Sequence, residues 1–431
     1  GVTKMTTWLN RRGMNLIAAL LAVLFTISGG LMAGGVSAQG EPVTLTMSAW
    51  DVATTPYWQA VIDAYEAANP NVTIELVDLP SADYQDVMNI RLSGGDDTDI
   101  ITVKDIPGYS AMLTRNQIIP LNEYIERDGL DLSVYSGAAE ELTYEGSIYG
   151  LPFRSDIWIL FYNKAIFDAA GVEYPDNDMT WAEFDALARQ LTSGSGADKI
   201  YGAHFHVWRS CVQLATVQDG LNSVIAEDYS FMAPMYEMVT AMQKDGIVMD
   251  YGELRAGNIH YSGPFINGQV AMIPMGSWFI GRLVADQAAG IFDFPWGVAA
   301  FPHPEGVEPG TTAGTLTSLA INEKSDNKDA AWDFIKFYAG EEGAKVLAET
   351  SNLPALRTPE VLEIFASLEG IPAEATEALK TTTVRLELPM HPSVGEVEQI
   401  LNEQHELIMT NSVSVQEGLE EATSRIREAL E

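Results

Sequence analysis

Residues 43 to 77 read as strand, helix, strand, and this alternation limits the fold more than any other feature of the chain. Val43, Leu45 and Met47 alternate with Thr44, Thr46 and Ser48, the period-two pattern of a strand with one buried face. Trp58, Val61, Ile62, Tyr65 and Ala68 then recur at helical spacing. Asn69-Pro70 ends that run, because proline steers the residue before it away from helical backbone. Residues 72–77, Val-Thr-Ile-Glu-Leu-Val, form a second strand. Strands joined through a helix run parallel, since the crossover brings the chain back to the end of the sheet it left. A helix over 83–92, a strand over 99–103 and a helix over 109–116 continue the pattern. The first block is an α/β layer.

Gly150-Leu151-Pro152 interrupts that layer, and the apolar run Trp158-Ile159-Leu160-Phe161-Tyr162 then predicts a strand leading into Asn163-Lys164. A second α/β body follows to about residue 295, with helices over 181–191 and 231–244 and a strand at Val270-Ala271-Met272-Ile273. Residues 294–299 read as a connecting strand. Residues 330–338 read as an amphipathic helix capped by Ser325, Asp326 or Asn327. The tail from 394 to 430 is rich in helical spacings such as Val397, Ile400 and Leu401. A chain of 431 residues exceeds what one core usually serves. It carries no repeat and no low-complexity tether, so the expectation is two lobes joined by short strands.

The first 38 residues differ in kind. Lys4, Arg11 and Arg12 precede an apolar run from Leu16 to Phe25, and Val36-Ser37-Ala38 supplies small residues before a cut between Ala38 and Gln39. This predicts a cleavable secretory signal peptide over 1–38. No cysteine stands near that junction, so no lipid-anchored form is expected. Sixty acidic residues against 24 basic ones give a net charge of -36. Such a surface repels nucleic acid phosphates and anionic membranes, which removes both as partners. One cysteine, Cys211, rules out an internal disulfide. It reads as a buried small residue.

Signatures of catalysis are missing. The chain holds no G-x-S-x-G, H-E-x-x-H, P-loop or G-x-G-x-x-G pattern. Ser325-Asp326-Asn327-Lys328 compresses two separate β-lactamase elements into one tetrapeptide, so it reads as a helix cap. His204-x-His206 has no third ligand at metal spacing. No catalytic residue, metal or cofactor is expected. The nine tryptophans say more. Trp50-Asp51 closes the first strand, Trp208-Arg209 lies in a polar stretch, and Gly276-Ser277-Trp278 follows a strand. Sugars present an apolar C–H face and a hydroxyl rim, which rings and carboxylates at strand ends can hold.

Five motifs stand in order: Trp58-x-x-Val61-Ile62-x-x-Tyr65-Glu66-x-x-Asn69-Pro70, Gly150-Leu151-Pro152, Phe161-Tyr162-Asn163-Lys164, Met179-Thr180-Trp181-x-Glu183-Phe184, and Gly268-Gln269-Val270-Ala271-Met272-x-x-x-Gly276-Ser277-Trp278. Together, over about residues 43 to 360, the chain resembles the extracellular solute-binding proteins of carbohydrate ABC importers, the maltose-binding-protein-like family 1. The resemblance implies an α/β, two-lobe periplasmic-binding-protein (type II) fold with a ligand cleft between lobes and a three-segment hinge. Lobe 1 would comprise 39–152 and 299–340, and lobe 2 would comprise 153–298 and 341–431. Crossings would fall near 152–158, 294–300 and 339–352. It also implies ligand contacts at Trp50, Asp51, Asp105, Asp156, Trp208, Trp278, Gly314, Thr315 and Arg357. Trp278 would stack on a sugar ring, Trp208 would form a second wall, and the aspartates would accept from hydroxyls. Gly314 and Thr315 would sit in a glycine-rich turn, and Arg357 would donate. Asp51 is also open to a reading as the cap of the following helix, Asp156 as a hinge hydrogen-bonder and Arg357 as a surface ion pair. The implied protein is a monomer in the periplasm or outside the cell, with a small carbohydrate ligand, the importer's membrane subunits as partners, and no membrane contact except through the transporter. The alternatives are an exported polysaccharide hydrolase or lyase, or the same fold holding a polyol, glycerol phosphate or peptide.

Overall fold

The first α/β layer forms as the alternation predicts. The computed structural model describes residues 41–431 apart from 82, 83, 136 and 382, so the signal peptide expected over 1–38 lies outside the described residues. Strand β1 (Val43–Trp50), helix Tyr57–Ala68, β2 (Val72–Leu79), helix Tyr84–Ser93, β3 (Ile100–Val103) and helix Ile106–Thr114 follow in sequence. β1 pairs in parallel with both β2 and β3. A two-strand hairpin, β4 (Thr143–Tyr144) and β5 (Ser147–Ile148), precedes the break at Gly150.

β6 (Leu151–Asn163) then organises the whole molecule. It has 13 residues, nearly all buried, and at about 3.3 Å per residue it spans roughly 43 Å, well beyond an ordinary strand. Its first half pairs antiparallel with β10 (Thr311–Ile321), through Leu151↔Leu319 to Ile157↔Gly314. Its second half pairs with β8 (Val270–Gly276) and β9 (Trp296–Ala300). β7 (Tyr201–Ala203) lies parallel to β8, and β11 (Thr383–Leu386) lies parallel to the start of β10. The far end of β10 pairs with β3. The resulting sheet order is β2-β1-β3-β10-β6-β8-β7. Strands β1 to β3 with their helices make one lobe, and β7 to β9 with theirs make the other. β6 and β10 belong to both. This is the two-lobe type II arrangement.

Three expected details come out differently. Residues 294–300 hold β9, which lies against the second half of β6, and the long strand shared between lobes is β10. Residues 339–352 are largely the helix Glu341–Glu349; the extended segment beside β6 comes just after it, where Ala355 N–H donates to Phe153 O and Ser155 N–H to Leu353 O. Helix Lys328–Ala339 begins after Asn327, but no side chain caps it. Ser325 and Asn327 instead donate to Asp99 Oδ1, at 2.6 and 3.2 Å.

The resemblance motifs have local physical causes. Asn163 caps helix Lys164–Ala170 by accepting from Ile166 N–H, and Lys164 pairs with Glu374 at 2.6 Å, to which the Tyr162 hydroxyl also donates. Thr180 and Glu183 form a reciprocal capping box at helix Trp181–Leu191. Gly276 must be glycine, because a Cβ there would stand 2.0 Å from the Trp278 ring.

Candidate functional site

Alternation along β6 puts Arg154, Asp156 and Trp158 on one face and Ser155 on the other. The first face closes one side of a cavity of about 430 Å³, and Ser155 lines a separate cavity of about 250 Å³ on the opposite side. On β10, Thr315 and Thr317 line the larger cavity and Leu316 the smaller, as alternation requires, while Gly314, with no side chain, also borders the larger one. Gly314 and Thr315 are therefore strand residues paired with Ile157 and Asp156, and the expected glycine-rich turn is absent at that point. Glycine is required there by approach: a Cβ at Gly314 would come within 2.6 Å of Asp156 O.

Of the nine expected contacts, the cavity gathers Asp105, Asp156, Trp208, Trp278, Gly314 and Thr315. Asp156, 2% exposed, forms an ion pair with Arg154 at 3.0 Å and accepts from the Ser277 hydroxyl at 3.0 Å. Its hinge-bonding and cavity-lining readings coexist. Asp105 caps helix Ile106–Thr114 by accepting from Gly108 N–H at 2.8 Å, and burial raises its carboxyl pKa. Trp278 opens helix Trp278–Ala288 with its ring edge-on to Trp158 at 5.8 Å and 6.3 Å from Trp208. Trp208 is 39% exposed despite its size. A large exposed ring on a cavity wall is ready to stack against a ligand face.

Trp50, Asp51 and Arg357 stand outside this lining. Trp50 is buried edge-on to Trp58 and Tyr84, with Lys104 Nζ 5.2 Å and Arg154 Cζ 6.0 Å from its ring centre. It sits beneath the two cations that do line the cavity. Asp51 adopts left-handed backbone, φ 47°, and accepts from Ser81 N–H at 3.1 Å. The helix it was open to capping starts instead after Pro56, with no side-chain cap. Arg357 lines the smaller cavity and donates to the carbonyls of Pro354 and Ser155. It is no surface ion pair: burial lowers its pKa to about 10. The strand period explains its place, since Ser155 faces away from Asp156.

The cavity also holds residues not expected from sequence: Lys104, Arg154, Trp158, Arg209, Glu387 and Glu398. Arg154 and Trp158 stand two residues either side of Asp156, but the strand expected from sequence begins at Trp158 and leaves Arg154 outside it. Arg209 donates to Glu398 at 3.0 Å and lies 3.6 Å from Glu387, an arrangement joining residues far apart in the chain and carrying no local signal. Burial, together with Glu398 and Asp105, holds Glu387 up at about 7. Glu387 N–H donates to Gly314 O, which fixes this acid to β10.

Elsewhere, Cys211 is buried and its thiol pKa is raised by burial. His204 and His206 have ring centres 6.4 Å apart, and among the described residues no set of three or more His, Cys, Asp or Glu is arranged to hold a metal. No described helix is long and apolar enough to cross a membrane.

A cleft floored by strands that two α/β lobes share defines a two-lobe ligand-binding protein. Residues 51–345 match the bacterial extracellular solute-binding protein family, and the chain belongs to it. A crystal structure of a sugar transporter from Rhizobium etli in an open conformation is 45% identical, covers 89% of this chain and 99% of that one, and superposes with a TM-score of 0.82. The lactose-binding protein of Rhizobium radiobacter is 25% identical over 70% of this chain and 72% of its own. An sn-glycerol-3-phosphate-binding periplasmic protein of Rhizobium meliloti is 23% identical over 76% and 79%. These relatives are binding proteins rather than enzymes.

Proposed function

We propose that this protein captures a sugar or short oligosaccharide in the cleft by lobe closure and delivers it to the membrane subunits of an ABC importer, without turnover. The observation that carries the reading is one cavity lined by Trp158, Trp208 and Trp278 together with carboxylates and guanidinium groups. Rings take the C–H face of a sugar, while the charged groups take its hydroxyls in charge-assisted bonds. The sugar-transporter relative at 45% identity supports the same ligand class. Glycerol phosphate fits poorly. The lining has three cations, Lys104, Arg154 and Arg209, against four acids, Asp105, Asp156, Glu387 and Glu398, and a phosphate dianion needs the opposite excess.

The shared strands suit a hinge. Closure would flex β6 and β10, whose pairing shifts register between Thr317 and Ser318, and both lobes would then contact the ligand. In this reading the chain passes between lobes along β6 and β10. The reading includes export to the periplasm or cell exterior and a monomeric state. Calorimetry of the mature protein against mono- and oligosaccharides should give a saturable sugar response with no product forming over hours. A response only to amino acids or phosphate esters refutes the ligand class, and accumulating product refutes a purely binding role.

A further inference from the structure

The cations of the cleft are unevenly shared. Arg154 pairs with Asp156 and donates to the Tyr57 hydroxyl and to Thr317. Lys104 donates to Ser81 and lies over Trp50. Arg209, 2% exposed, is left to face Glu398 and Glu387, and it also donates to Gln213. Asp105 completes that end of the cavity; it accepts from the Gly108 N–H and is within electrostatic reach of the Lys104 ammonium, but forms no close ion pair with it. Three carboxylates from three separate segments therefore converge where one guanidinium is engaged. Like charges gathered out of water raise one another's energy unless a cation or a proton intervenes.

A second observation is independent of those acids. Trp158 is 1% exposed, lines the same cavity, and its indole N–H has no acceptor. A buried donor left unpaired is costly, and a sugar oxygen is the acceptor the cleft lacks. The site thus asks for oxygens near Trp158 and positive charge near Glu387. Trp208 and Trp278 stand on the same wall, where ring faces also favour a cation.

Granting the reading of this cleft as a sugar site, we propose that its preferred ligand is an amino sugar, its ammonium seated among Asp105, Glu387 and Glu398. A neutral sugar leaves the acid excess in place, and a phosphorylated or carboxylated one enlarges it. Glu387 is faced by Arg209 and Ser210 from one segment, Glu398 from another and Asp105 from a third. The ammonium takes over the role of the proton that burial and the two acids hold on Glu387, so binding releases a proton to buffer.

The test is calorimetry on the mature protein at about pH 6.5. Glucosamine and galactosamine, and their disaccharides, are each compared with the N-acetylated and hydroxyl counterparts. At least one amine should bind roughly tenfold or more tightly than its neutral counterparts, the scale of one charged hydrogen bond. Its heat should vary with the ionisation enthalpy of the buffer, as proton release requires. Glu387→Gln should shrink the preference and abolish the buffer dependence; Glu398→Gln should shrink the preference and serves as the second variant if Glu387→Gln does not fold. Neutral sugars binding as tightly as their amines overturn the inference while leaving sugar binding standing. An amine preference untouched in both variants also overturns it. Failure of every sugar, charged or neutral, overturns the sugar reading as well.

Discussion

Trp278 illustrates how one residue serves both fold and site. Its ring lies against Gly276, edge-on to Trp158, and still forms part of the cavity wall. Truncation to Ala removes ring surface that a sugar would otherwise cover. Burial of an aromatic side chain is worth about 1.5–3 kcal/mol, so Trp278→Ala should weaken sugar affinity by roughly ten- to a hundredfold. Trp278→Phe should recover part of that loss, with Kd measured by calorimetry for the best ligand found. An unchanged Kd in Trp278→Ala rules out stacking at this position. Asp156 shows why its other half was harder to see. The acid precedes a strand recognisable from sequence, but Arg154, its partner, joins that strand only because it extends back to Leu151. Glu387, Glu398 and Arg209 meet through three remote segments, and no spacing in the chain announces such a meeting.

At the scale of elements, the helices were the most legible part. Apolar spacing with a proline stop or a capping box sets helix Tyr57–Ala68 and helix Trp181–Leu191 almost to the residue. The long strands were less so. β10 begins with Thr, Thr, Ala, Gly and Thr, a composition that resembles a turn, and only pairing with β6 on one side and β3 or β11 on the other makes it a buried strand. Tertiary context overrides weak local preference here. Gly314 tests this account. With φ outside the left-handed region, a Cβ would be tolerated by its own backbone but would meet Asp156 O at 2.6 Å and Val384 at 3.0 Å. Gly314→Ala should therefore force β6, β10 and β11 apart locally and cost about 1–3 kcal/mol, read as a lowered urea midpoint. The same variant should weaken ligand affinity, because Glu387 is anchored to Gly314 O. A variant as stable as the parent shows that the strands have more freedom than this packing allows.

For the molecule as a whole, buried histidines make stability depend on pH just below neutrality. Burial lowers the pKa of His204 to about 3, His206 to about 4 and His405 to about 3, from an ordinary 6.5. Each is neutral when folded and protonates on unfolding, so its contribution is present above pH 6.5 and is lost as pH falls toward the folded value. Each adds a slope of about 1.4 kcal/mol per pH unit in that window. Glu387 works the other way. Its folded pKa near 7 exceeds the ordinary 4.5, so its stabilisation is complete below 4.5 and is lost as pH rises through 7. Between about 4.5 and 6.5 these three histidines, with His260 shifted the same way, oppose Glu387 and Asp105, whose carboxyls burial raises, and stability should fall on acidification. His204 isolates the effect, since both its ring nitrogens are buried without a hydrogen-bond partner. His204→Leu removes polar atoms that nothing satisfies, so it should be neutral or stabilising at pH 7.5. Its advantage over the parent should then widen by about 1.4 kcal/mol for each unit below 6.5, measured by urea denaturation at pH 5, 6 and 7.5. An advantage that stays constant across that range means His204 takes up its proton at the same pH folded and unfolded, and the acid sensitivity must then come from elsewhere.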